Sequence, residues 1–335
     1  MIVREYNETD DAGSAGGSAA LCRPMLWART PTGQPPGRWR YLAAGLLIAC
    51  CLLFTSPSAA ARTVTDELGR TVTVVEHPHR IVCLAPSLTD TVYSLGHGAD
   101  VAAVTDYTKY PAEAHLKPSV GGVIDPSLET IVALKPDLVL AIDGMNNYDT
   151  IRALEHERLS VFVVNPKGME GVYRSILSVG NALNDTAAAR ALVESLRARQ
   201  RQVVARMSGK PRPAVLMVLW PDPFITAGRG AFITDLIEAA GAHSVTAEVP
   251  QEWARMSLES VVAKKPDYLL LIRNDKVTPE GLQKLPGWSA LEAVRARRVI
   301  WADDRIYYAS PLMLDALEDL SQQLLAAERA VISNK

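Results

Sequence analysis

The segment Pro126-Ser-Leu-Glu-Thr-Ile-Val-Ala-Leu-Lys-Pro-Asp-Leu-Val-Leu-Ala-Ile142 returns later in the chain as Met256-Ser-Leu-Glu-Ser-Val-Val-Ala-Lys-Lys-Pro-Asp-Tyr-Leu-Leu-Leu-Ile272, with ten of seventeen positions identical. Each copy reads as a helix, a Lys-Pro-Asp turn and a strand. Pro136 and Pro266 end the helix because proline disfavours helical backbone in the residue before it, and Asp137 and Asp267 suit the turn that follows. Two copies of one supersecondary unit imply two related lobes.

The residues around the repeat alternate in the same way. Residues 62–75 interleave Thr and Val around Gly69, the pattern of a short hairpin. Strands are then predicted at 81–85, 101–105, 138–142 and 161–164, with helices over 87–95, 128–134 and 149–157, the first opened by a capping box at Ser87 to Asp90. Residues 169–207 are helical throughout, with a break near 181–185. After Pro211-Arg212-Pro213 the alternation resumes, with strands at 215–219, 268–272 and 299–301 and helices at 231–240, 258–264 and 311–329. The fold class is therefore α/β: two Rossmann-like lobes, residues 62–168 and 211–335, joined through a helical linker at 169–210 that contains one long helix.

Residues 1–61 read as a leader. Arg38 and Arg40 precede an apolar run over 41–54 that is shorter than the roughly 20 residues of a membrane span, and Ser58-Ala59-Ala60-Ala61 offers a cleavage site. The polar stretch before Arg38 is long for such a leader, which leaves Met25 as an alternative start. Two processing routes fit: cleavage near Ala61, or lipidation of Cys50 after Leu47-Ile48-Ala49. Cys22, Cys50 and Cys51 lie in the leader, so the first route leaves Cys83 alone and no internal disulfide. A net charge of −2 with scattered Lys and Arg excludes a nucleic-acid-binding face.

Arg80-Ile-Val-Cys-Leu-Ala-Pro-Ser87, Val104-Thr-Asp-Tyr-Thr-Lys-Tyr-Pro111, the two Ser-Leu-Glu segments and Ala309-Ser-Pro311 together resemble the periplasmic binding proteins of cobalamin, iron-siderophore and haem importers. The resemblance extends from Arg62 to Ala330 and is greatest to the cobalamin-binding branch. It implies a monomeric, exported, non-enzymatic protein that carries a macrocycle or ferric chelate to the permease dimer of an ABC importer in the inner membrane. It also implies a ligand cleft between the lobes. The chain departs from that branch at Val123 and Ile142, where tryptophans often stand.

Ligands of open α/β sheets bind beyond the carboxyl ends of the strands. The aromatics predicted in such loops are Tyr107 and Tyr110, Trp220 and Phe224, Trp253, and Tyr307 with Tyr308; Arg255 joins them as a polar contact. Tyr107 and Trp253 match cleft aromatics of the cobalamin-binding relatives. Glu129 and Glu259 sit in the first turn of their helices, where a carboxylate offsets the helix dipole; the resemblance adds docking to permease arginines. A siderophore cleft would carry several arginines, and Arg229, Arg255 and Arg305 are available. Haem would call on Tyr107, Tyr307 or His97. His77-Pro78-His79 reads as a turn, and no zinc spacing is present. No Walker, GxGxxG or GxSxG motif falls in residues 62–335, Asp303-Asp304 and Glu248 to Glu252 read as solvated acids, and an α/β enzyme is the alternative from another class.

Overall fold

The computed structural model describes residues 60–273 and 277–333. Residues 1–59 of the leader, with Cys22, Cys50 and Cys51, therefore lie outside the described residues, whereas Ala61 belongs to the first strand. The Thr/Val alternation folds as expected: β1 (Ala61–Thr65) and β2 (Thr71–Val75) pair antiparallel across Gly69, whose φ of 77° is the left-handed turn conformation that glycine adopts without strain.

The first α/β layer comprises β3 (Ile81–Cys83), α1 (Pro86–Ser94), β4 (Val101–Ala103), α2 (Leu128–Ala133), β5 (Leu138–Ile142), α3 (Tyr148–His156) and β6 (Val161–Val164). Its sheet is parallel throughout, in the order β4-β3-β5-β6. Every residue of β5 and β6 is buried, as continuous apolar runs in a sheet covered on both faces require. Two helices follow, α4 (Gly168–Ala182) and α5 (Thr186–Met207). The second half holds β7 (Ala214–Met217), β8 (Trp220–Pro221), β9 (Phe224–Ala227), α6 (Phe232–Ala239), β10 (His243–Ser244), β11 (Trp253–Arg255) and α7 (Leu258–Val262). It closes with β12 (Tyr268–Ile272), α8 (Pro279–Lys284), α9 (Glu292–Arg295), β13 (Val299–Ala302) and α10 (Met313–Ser333). Its parallel sheet runs β10-β7-β12-β13, and β11-β9-β8 form a small antiparallel sheet beside it.

The repeat holds at the level of single dihedral angles. Ser127 and Ser257 cap α2 and α7 through their hydroxyls, and Lys135 and Lys265 both adopt a left-handed φ of 46° just before proline. Asp137 then accepts from the His79 amide at 2.9 Å, and Asp267 from the Ala214 amide at 2.8 Å. Each Asp thus pins the chain where β3 or β7 begins. One expectation fails: α1 has no capping box, because Pro86 takes the first helical position and Ala85 the cap, leaving Ser87 buried inside the helix.

All these elements fall within one unit, Ala59–Lys335. The two helices after β6 run back and forth between the sheets. The start of α4 is held by the second half, through Gly168 N–H to Gly230 O at 2.8 Å and Met169 N–H to Asp235 at 2.9 Å. Its end is held by the first half, where Arg62 donates to the carbonyls of Asn181 and Ala182. The tight turn brings Ala189 of α5 onto Gly180, a contact that leaves no room for a Cβ. From Asp185, 3.4 Å from His97, α5 carries the chain over 22 residues, about 33 Å, to Met207 packed on Gly241.

Arg199 in the middle of α5 grips α10: its guanidinium lies 2.6 Å from Asp315 and 2.8 Å from Glu318. The Arg199 bond and charge hold the Glu318 carboxyl below its ordinary pKa. The contribution is therefore present above the ordinary carboxylate range and disappears as pH falls through the depressed value. Because these side chains remain about one-third exposed, solvent screening limits the net effect to about 1 kcal/mol. Arg199→Met should lower the melting temperature by a few degrees at pH 7, with the gap closing in acid, as calorimetry across a pH series would record.

Candidate functional site

Parallel strands place their carboxyl ends on one edge of each sheet, and the loops leaving those edges line a cleft of about 420 Å³. That volume lies within the range of roughly 300–1,000 Å³ usual for small-ligand sites. From the first half come Asp143 to Met145 beyond β5 and Pro166-Lys167 beyond β6; from the second come Phe232, Glu252, Trp253 and Tyr307. Its apolar surface is unusually bare, with Ile124 73%, Met145 46%, Trp253 44% and Tyr307 37% exposed. Exposed large apolar side chains gathered on one concave surface mark a binding site.

The strand β11 explains the position of Trp253. Trp253 pairs with Ala227 and Arg255 with Ile225, while Ala254 points to the buried side opposite Thr226. Trp220 also pairs with Ile225, so Trp253, Arg255 and Trp220 share the outer face of the small sheet. Only Trp253 reaches the cleft. Arg255 borders a second hollow of about 290 Å³, together with Phe224, whose buried ring meets Trp288 edge-on at 5.3 Å. Of the predicted ligand contacts, Trp253 and Tyr307 line the cleft, whereas Trp220, Phe224 and Arg255 do not. Tyr107 stands 68% exposed in the loop after β4, also off the cleft lining.

Tyr110 and Tyr308 form a strut between the halves. Their rings meet edge-on at 5.4 Å, the Tyr110 hydroxyl donates to Asp304 at 3.0 Å, and Lys109 reaches the same carboxylate at 2.7 Å. Burial, and then the Asp304 carboxylate, pushes both phenols up to about 12, so they remain neutral. The Asp303-Asp304 pair is thus structural: Asp303 binds Arg305 at 2.6 Å and Asp304 bridges the halves. A second tie is the Leu312 amide donating to buried Asp90 at 3.4 Å, where burial raises the carboxyl pKa.

The three arginines available to an anionic chelate are elsewhere. Arg229 pairs with Glu248 at 2.5 Å, Arg305 with Asp303 and Asp315, and Arg255 borders the second hollow. His97 is held between Asp100 and Asp185, and His79 bonds Asp100 at 2.8 Å. Asp143 and Lys167, not singled out in the sequence, line the cleft together with Glu252. Glu252 is half-buried rather than solvated. Burial raises its carboxyl pKa, Lys167 draws it down and Asp143 raises it further. Asp143 accepts the Tyr148 hydroxyl at 2.7 Å. Their signal was positional: Asp143 follows directly on the strand of the first repeat copy.

Glu129 and Glu259 are exposed in the first turns of α2 and α7. Because these helices run antiparallel to the strands they precede, both glutamates stand at the cleft end of their sheets. At Glu259 hydrogen bonds from backbone N–H and the Ser257 hydroxyl hold the carboxyl below its ordinary pKa.

Residues 81–306 match the family described as Periplasmic binding protein. The chain belongs to that family. It is 30% identical over 270 residues to the uncharacterized ABC transporter substrate-binding lipoprotein YvrC of Bacillus subtilis, covering 78% of this chain and 85% of the relative. It is 25% identical over 248 residues to the vitamin B12-binding protein of Photorhabdus laumondii, covering 74% and 88%. Among solved structures, the periplasmic heme-binding protein RhuT of Roseiflexus sp. RS-1 superposes with a TM-score of 0.68 at 26% identity, covering 74% of this chain and 98% of that one. The family consists of substrate-binding proteins of transport rather than enzymes, and its two-lobed α/β architecture is the one described above.

Proposed function

We propose that this protein captures a corrinoid of the cobalamin type in the periplasm, as a monomer, and delivers it to the permease dimer of an ABC importer. The observation that carries the ligand assignment is the cleft lining: Trp253, Tyr307, Phe232 and Met145 present aromatic and apolar surface, and Arg229, Arg255 and Arg305 are all absent from it. Ring faces of a macrocycle gain from aromatic contact, whereas an anionic ferric catecholate calls for several cations and this lining offers Lys167 alone. Likeness to a vitamin B12-binding protein supports the same ligand. Haem is the second reading, favoured by Tyr307 in the cleft and by likeness to RhuT. Export through residues 1–61 accords with the family, and a lipoprotein relative supports lipidation at Cys50 as one of the two processing routes.

Titration with cyanocobalamin and with haem tests the ligand. Wild type is expected to bind cyanocobalamin, and Trp253→Ala to lower that affinity by about tenfold without unfolding the protein, since a stacked aromatic contributes about 0.5–1.5 kcal/mol beyond its buried area. Binding of haem alone, or unchanged cyanocobalamin affinity in the variant, would remove the corrinoid assignment or the role of Trp253 respectively.

Docking is assigned to Glu129 and Glu259, exposed at matched positions beside the cleft, one on each lobe. Glu129→Gln with Glu259→Gln should leave ligand affinity unchanged and lower transport in vesicles reconstituted with the cognate permease. Normal uptake by the double variant would leave these glutamates as helix-terminal charges only.

A further inference from the structure

The cleft described above carries two carboxylates and one ammonium at its lining, Asp143, Glu252 and Lys167. Asp143 comes from the loop after β5 and Glu252 from the segment before β11, so the acids are supplied by opposite halves. The three groups stand close enough for Glu252 to feel the charges of both others. The lining is thus acidic on balance: Arg229 and Arg305 are paired with Glu248, Asp303 and Asp315, and Arg255 borders the second hollow instead.

We propose that Asp143 and Glu252 select the ligand by the chemistry of its rim, favouring a macrocycle fringed with carboxamides over one fringed with carboxylates. The inference rests on the reading of the cleft as a corrinoid site. A carboxamide and a carboxylate have nearly the same size and shape, so apolar walls cannot tell them apart. Hydrogen-bond polarity can: an amide N–H donates to a carboxylate, whereas a second carboxylate only repels it. Asp143 retains acceptor capacity beyond the Tyr148 hydroxyl, since a carboxylate offers about four lone-pair sites. Partial burial of Glu252 raises the cost of leaving its charge against another anion. Lys167 accommodates one anionic group, but it already lies in the field of Glu252 and cannot satisfy two. The pair therefore acts mainly by rejecting anionic rings such as a porphyrin dicarboxylate, a specificity that apolar contact alone does not supply.

Calorimetric titration of the mature protein at pH 7.5 with two probes tests this: cyanocobalamin, and the same corrinoid with its propionamides hydrolysed to carboxylates. Wild type should prefer the amide form by about tenfold or more, the scale of one partly screened like-charge contact. In Asp143→Asn with Glu252→Gln, whose side chains can donate to a carboxylate, the preference should fall to within about threefold. Equal binding of the two probes by wild type, or an undiminished preference in the double variant, would overturn the proposal. If the double variant does not melt cooperatively, Glu252→Gln alone is read in the same way, a reduced preference supporting the selection and an unchanged one refuting it. Binding of neither probe by wild type would instead overturn the corrinoid reading, and this inference with it.

Discussion

The chain passes between its two parallel sheets along a pair of helices, and the separation of the sheets depends on how that pair is fixed. The start of α4 is bonded to Gly230 and Asp235 of the second half, and its end to Arg62 of the first. Asp185 of the following turn faces His97, and α5 then spans to Gly241 while Arg199 binds α10. A helix resists bending because every turn is hydrogen-bonded, so this connection transmits position rather than allowing a hinge. The Tyr110–Asp304–Lys109 strut adds a tie on another path. The cleft is the gap these constraints leave open.

A preformed cleft lowers the ordering cost of binding, and its chemistry then falls to a few side chains. Trp253 and Tyr307 present apolar surface in its lining, while Asp143, Glu252 and Lys167 set the lining's charge. Both kinds of residue lie at the carboxyl ends of strands or in the small sheet beside them. Glu129 and Glu259 stand at the same end because the helices that bear them run antiparallel to the strands. One topological fact thus gathers the cleft residues and the two glutamates proposed for docking on one side of the molecule.

Much of this arrangement was legible in the sequence. The apolar runs at 138–142, 161–164 and 268–272 are strands with those same bounds, because a strand buried on both faces needs an unbroken apolar run. The repeat announced two related halves, although the shared left-handed backbone at Lys135 and Lys265 has no signal in a lysine. The antiparallel sheet β11-β9-β8 was not legible: its strands are two to four residues long and interrupted by Pro221 and Pro223, which read as loop. Trp220 and Phe224, read as loop residues, lie on that hairpin, outside the lining of the cleft. The capping box at Ser87 lost to Pro86, which fixes the helix start one position earlier. Asp143 was passed over and Glu252 read as solvated because a charged loop residue resembles any solvated one until the opposite wall of the cleft is known.

Small-angle scattering of the mature protein with and without saturating cyanocobalamin tests most directly whether the helix pair and strut fix the cleft. The account predicts nearly superposable profiles, with radii of gyration that differ by less than about 1 Å. A compaction of more than about 2 Å on binding would show that the halves move as hinged bodies and would contradict it.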